Sequence, residues 1–127
     1  MNDNPTTAEE QYSLGLLYEG GRDGFPKDFE KANHWYAKAT EQGHAMAQYS
    51  LGMAYANGNG VQKDLAKAEE LWTKAAEKGE MWVQYNLGFN YSCGYCVSKN
   101  TEKAIYWLTK AAEQGSEKAE KALASIR

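Results

Sequence analysis

One pattern of hydrophobic and polar positions returns three times along the chain. Gln11-Tyr12-Ser13-Leu14-Gly15 reappears as Gln48-Tyr49-Ser50-Leu51-Gly52 and as Gln84-Tyr85-Asn86-Leu87-Gly88, with starts 37 and 36 residues apart. Tyr18, Tyr55 and Tyr91 keep step, as do Lys27, Lys63 and Lys99, Ala32, Ala68 and Ala104, and Gly43, Gly79 and Gly115. The extra residue of the first copy falls in Gly20-Gly21-Arg22-Asp23-Gly24, where an insertion only lengthens a loop. A fixed period of this length is the mark of a stacked repeat architecture.

Each copy predicts two helices. Gln48, Leu51, Gly52 and Tyr55 fall at i, i+3, i+4 and i+7, one face of a helix. Asn57-Gly58-Asn59-Gly60 stops that helix, because glycine takes the left-handed backbone that follows a C-terminus. Asp28, Asp64 and Asn100 stand where a second helix begins and accept from an otherwise unpaired backbone N–H. Phe29, Ala32, Trp35/Tyr36 and Ala39 form the apolar stripe of that second helix, with lysines and glutamates elsewhere. Trp35, Trp72 and Trp107 are accordingly expected in the core between repeats. Residues 83–91 alternate apolar and polar as a strand would, yet they align with helical positions of the other copies and are predicted helical. After Gly115 a further first helix starts, with Leu123 at the leucine position and Lys121 where the tyrosines stand. A polar substitution of this kind suits the solvent-facing cap of a stack. The expected organisation is a flexible N-terminus over 1–7 and a single solenoid domain over 8–127. Its repeats are 8–44, 45–80 and 81–116, followed by a capping helix over 117–127.

Ala-x-Ala-Gln-Tyr-x-Leu-Gly-x-x-Tyr, then Gly-x-Gly-Val-x-Lys-Asp, then Lys-Ala-x-x-(Leu/Trp)-(Trp/Leu)-x-Lys-Ala-Ala-Glu-x-Gly resembles the Sel-one-like repeat family (SLR), a relative of the tetratricopeptide repeat (TPR). Residues 45–80 match most closely. The first copy departs at Glu10 and in its longer loop; the third departs at Met81, Trp82 and Val83, and at Cys96, where the loop's second glycine is expected. The resemblance implies an all-α fold, an αα-hairpin repeat solenoid wound as a TPR-like right-handed superhelix. It also implies a module that binds another protein or peptide as an adaptor, scaffold or immunity-type inhibitor, of bacterial origin, without catalytic residues or cofactor. In the related TPR units the first helices line a concave groove. The corresponding partner-binding positions here are Glu9, Tyr12 and Leu16, then Met46, Tyr49 and Met53, then Trp82, Tyr85 and Phe89. Recurrence of Tyr12, Tyr49 and Tyr85 in every copy favours a packing role for them, whereas Met46, Met53, Trp82 and Phe89 vary as contact positions do. Trp82 and Met46 equally suit packing on a neighbouring repeat.

Cys93-Gly94-Tyr95-Cys96 is the one candidate for chemistry. The pair is read as free thiols, as a candidate disulfide in an oxidising compartment, or as the centre of a thiol-redox protein, the alternative to a binding module. A redox nucleophile is activated at a helix N-terminus, whereas Cys93 is predicted at a C-terminus, where the dipole opposes a thiolate. Two thiols fall short of a four-ligand zinc site, and no metal is expected. His34 and His44 are read as solvated surface.

Composition changes the picture only by exclusion. The chain has 127 residues, 14 Lys and Arg against 17 Asp and Glu, and no basic stripe, so nucleic acid is not an expected partner. No apolar run reaches the ~20 residues of a membrane span. The first residues lack the basic and apolar regions of a signal peptide, which predicts a cytoplasmic protein, or a periplasmic one if a leader has been removed. Oligomeric state is not legible.

Overall fold

The computed structural model describes residues 6–126. Seven α-helices follow in order: α1 (Ala8–Gly20), α2 (Phe29–Glu41), α3 (Ala45–Asn57), α4 (Leu65–Glu77), α5 (Met81–Cys93), α6 (Thr101–Glu113) and α7 (Glu117–Ile126). No described residue lies in a strand, so residues 83–91 are helical despite their alternation. The chain divides into two compact units, one ending at Leu71 and the other beginning at Trp72.

In the first unit α1 packs on α2, and α2 on α3. Ala32, Tyr36, Leu51 and Leu71 are buried together, with Tyr12, Tyr18 and Tyr55 packed against them. Tyr36 lies where α2 crosses α1: a Cβ on Gly15 would stand 2.5 Å from the Tyr36 ring and 3.2 Å from the Ala32 carbonyl. Trp35, expected in the core, is instead half-buried, its ring edge-on to His34. The crossing position belongs to the next residue, and the tyrosine fills it. Trp72 and Trp107 are buried as expected.

In the second unit α5 packs on α6, and α7 on both. Gly88 repeats the close crossing, since a Cβ there would lie 2.8 Å from Leu108 Cγ and 3.0 Å from the Leu108 backbone nitrogen. Gly88→Ala is therefore expected to destabilise by about 1–3 kcal/mol through overpacking, although alanine is the better helix former by about 1 kcal/mol. Urea unfolding measures it; a stabilised variant would show that the helices separate freely. On α7, Ala119 and Leu123 are buried while Lys121 is exposed.

The landmark residues close each hairpin. α1, α3 and α5 end at left-handed Gly21, Gly58 and Gly94, whose N–H groups donate to the carbonyls of Leu17, Ala54 and Asn90. A Cβ on any of these glycines would press within 3.4 Å of the Cβ of Lys27, Lys63 or Lys99, a further reason for glycine at these positions. The chain then returns through Asp28, Asp64 and Asn100, whose N–H groups donate to the carbonyls of Tyr18, Tyr55 and Tyr91 at 2.9 Å. Their side chains cap the next helix by accepting from the backbone of Lys31, Lys67 and Lys103 at 3.1, 3.0 and 3.0 Å. In the first and third copies the recurrent glutamine is a buried tie as well. Gln42 Nε2 donates to Gln11 Oε1, and Gln114 Nε2 to Gln84 Oε1, both at 2.8 Å.

Of the segment expected to be flexible, residues 1–5 lie outside those described. Thr7 caps α1 in a capping box with Glu10, and the Thr6 carbonyl accepts from Gln42.

Candidate functional site

The nine positions expected to meet a partner occupy α1, α3 and α5, and their surroundings differ. Glu9 Oε1 is bonded to His44 Nε2 at 2.7 Å, and the Tyr12 ring lies against Tyr36 and His44. Tyr12 packs against the core of the first unit, and Glu9 ties α1 to the residue before α3. Burial pushes the Tyr12 hydroxyl above its ordinary range, with the Glu19 and Glu9 carboxylates adding to the shift and a bond to Ser50 opposing it. Leu16 and Phe89 are the most open apolar side chains of the nine, at 42% and 46% exposure, while the Glu9 side chain is 82% exposed. Met46, Tyr49, Met53, Trp82 and Tyr85 are half-buried. Tyr85 and Phe89 face each other with ring centroids 6.0 Å apart.

Charge is distributed unevenly among the helices, and α1 carries only acids, Glu9, Glu10 and Glu19. The thirteen residues of α3 and the thirteen of α5 include no Asp, Glu, Lys or Arg, whereas α2, α4 and α6 each carry both signs. A helix face that is partly solvent-exposed but uncharged, with methionine and aromatic side chains on it, has the composition of an interface core.

The first unit also contains a pocket of about 360 Å³ that includes Tyr49 and Met53. Glu19, Lys27, Phe29, Asn33, Ser50, Asn57 and Asn59 complete most of its wall. Glu19 Oε1 accepts from the buried Tyr36 hydroxyl at 2.7 Å. Burial, reinforced by the Glu19 carboxylate, raises that hydroxyl far above its ordinary range and keeps it a donor. Lys27 Nζ sits 5.0 Å from the centre of the Phe29 ring, and Asn33 Nδ2 donates to the Asn59 carbonyl at 2.7 Å. Glu19, Asn33 and Asn57 were not expected at a site. The loop asparagines read only as helix stops, although Glu19 does continue the Tyr12–Leu16 face by one turn.

Cys93 and Cys96 are free thiols. Cys93 Sγ, at the end of α5, donates to the Phe89 carbonyl at 3.1 Å. Cys96 has φ 64°, in the place where the other repeats have Gly24 and Gly60 at 83° and 76°. A left-handed non-glycine residue costs about 1–2 kcal/mol, and glycine's extra chain entropy takes back about 0.5–1 kcal/mol. Cys96→Gly is therefore expected to raise stability by up to about 1 kcal/mol in urea unfolding; a clear loss would assign the Cys96 side chain a packing role. Among the described residues no His, Cys, Asp and Glu cluster is able to hold a metal ion. Among the same residues no helix is long and apolar enough to cross a membrane.

His44 corrects the sequence reading most clearly. Its side chain keeps only 11% exposure and takes part in three contacts, so it is structural rather than solvated. His34, by contrast, is exposed.

The paired helices, left-handed glycines and loop returns recur at the period of one known repeat. The profile of the Sel1 repeat matches residues 11–44, 45–80 and 83–116. The chain belongs to the Sel1 repeat family. A protective antigen of uropathogenic Escherichia coli with an SLR fold is 37% identical, with a TM-score of 0.83, over 94% of this chain and 25% of that one. A Sel1 repeat protein from Oxalobacter formigenes is 38% identical, with a TM-score of 0.78, over 88% and 46%. Cysteine rich protein B of Helicobacter pylori is 26% identical, with a TM-score of 0.71, over 91% and 88%. A 53-residue stretch is 40% identical to HRD3A, an ERAD-associated E3 ubiquitin-protein ligase component of Arabidopsis thaliana, of which it spans 8%. Sel1 repeat proteins are in general non-catalytic protein-interaction modules.

Proposed function

We propose that this chain is a non-catalytic module that binds another polypeptide on the uncharged faces of α3 and α5, serving as an adaptor or as an inhibitor that occludes its target. The observation that carries this reading is the absence of charge from α3 and α5. Met46, Tyr49 and Met53 on one, and Trp82, Tyr85 and Phe89 on the other, are only half-buried or exposed. Methionine adapts to irregular apolar surfaces and aromatic rings anchor in pockets, which together suit protein recognition. The pocket of the first unit adds amides and hydroxyls that hydrogen-bond a peptide backbone at the edge of such a contact. Family membership supports the same reading.

The test is affinity capture from the native host, comparing the wild type with the double variant Met53→Glu/Phe89→Glu and quantifying co-purified proteins by mass spectrometry. One protein strongly depleted from the folded double variant supports the proposal. An unchanged set of captured proteins excludes these faces.

A further inference from the structure

The positions that open the first helices and α7 are Thr7, His44, Glu80 and Ser116. Thr7 and Ser116 cap with hydroxyl oxygens, accepting from Glu10 and Ala119 at 3.1 Å each, and Glu80 makes no side-chain cap bond. His44 caps α3 with a ring nitrogen: Nδ1 accepts from the Ala47 backbone N–H at 3.1 Å. A backbone N–H only donates, so Nδ1 carries no proton. In a neutral imidazole the proton is then on Nε2, which donates to Glu9 Oε1 at 2.7 Å. The Tyr12 ring, 4.8 Å away between centroids, covers one side of the imidazole. Cap, carboxylate and ring together fix one tautomer in one orientation.

This arrangement differs from a hydroxyl cap in one respect: imidazole takes up a proton between pH 5 and 8. The added proton has only Nδ1 to occupy. There it abolishes the acceptor, turns one donor against another, and places positive charge at the positive end of α3. The Nε2–Glu9 bond is unaffected and becomes an ion pair, so the tie between α1 and the residue before α3 survives while the cap is lost.

We propose that protonation of His44 uncaps α3 and loosens its first turn, making the start of that helix responsive to mild acid. The other groups facing His44 do not substitute for it. From α1 come Glu9 and Tyr12, the latter held neutral by burial. The end of α2 brings the neutral amide of Gln42, which donates to Thr6 and Gln11, while Lys38 and Glu41 are exposed. α3 itself contains no charged side chain. The loosened turn carries Met46, so on the proposed function above acid weakens partner contact there; the uncapping itself rests only on the geometry.

The test needs no partner, and so separates the two ideas. Imidazole nitrogen shifts and the Ala47 amide are followed by NMR from pH 8 to pH 5, in the wild type and in His44→Asn, whose amide oxygen caps at any pH. The expected result is a His44 proton on Nε2 at pH 8. The Ala47 amide proton then moves upfield with the His44 midpoint, and its protection from exchange falls about fivefold, corresponding to a cap of about 1 kcal/mol. His44→Asn should lack that transition. An Ala47 amide that stays in place through the His44 titration, or a His44 proton on Nδ1 at pH 8, overturns the proposal from the wild type alone.

Discussion

Leu87→Ala is expected to lower the unfolding free energy by about 2–5 kcal/mol, the range for truncating a buried leucine. Leu87 is 2% exposed on α5, one residue before Gly88, where α6 makes its closest approach. That tight crossing leaves the helix pair little room to collapse into the space vacated, which favours the upper part of the range. A domain of this size has only about 5–15 kcal/mol of stability in total, so the loss takes a large share of it. Leu51, 9% exposed and part of the core of the first unit, should behave in the same way. Tyr106→Ala on α6 is the control: at 54% exposure it should stay within about 0.5 kcal/mol. Urea unfolding of the three variants measures the contrast. Losses under a few tenths of a kcal/mol at both leucines would mean that α3 and α5 are rotated about their axes relative to the structure.

The second large effect is on binding. Phe89→Ala and Trp82→Ala should each weaken partner affinity by roughly thirtyfold, which is about 2 kcal/mol for a buried aromatic anchor. The two side chains lie seven residues apart on α5, with Tyr85 between them on the same face. Their cost to stability should differ. Phe89 is 46% exposed, so its truncation should leave the melting temperature near that of the wild type. Trp82 is half-buried and should lose some stability as well. Trp107→Ala is the opposite case: at 7% exposure it should cost about 3–5 kcal/mol and affect binding only through unfolding. Calorimetric melting and titration on the same three proteins distinguish contact from packing. Equal melting losses for Trp82 and Trp107 would make Trp82 a packing residue.

The fold was legible in the sequence because three copies can be compared. In isolation, residues 83–91 have the alternation of a strand, and only their register with the other copies marks them as helix. Asp28, Asp64 and Asn100 could be read as caps because their chemistry is local: a short acceptor at the start of a helix has few other uses. Misreadings arose where the outcome depends on which helix lies opposite. Trp35 and Tyr36 are adjacent on one stripe, and only the crossing at Gly15 determines that the tyrosine is the buried one. His44 looked like a turn residue because its three partners are Glu9 and Tyr12, more than thirty residues earlier, and the backbone of Ala47. The site was legible only as a set of positions. The resemblance to tetratricopeptide units mapped nine side chains onto α1, α3 and α5. It gave no sign that Glu9 is committed to His44 and Tyr12 to the core, or that Glu19, Asn33 and Asn57 line a pocket beside Tyr49 and Met53.

The most direct test of the central claim, that the uncharged faces of α3 and α5 receive the partner, is site-specific photocrosslinking in the native host. A benzophenone side chain is introduced separately at positions 53, 89 and 106, on α3, α5 and α6. Crosslinks from 53 and 89 to one and the same protein, with position 106 silent, are the expected result. Crosslinking from 106 alone, with 53 and 89 silent in folded protein, would contradict it and assign binding to the second helices.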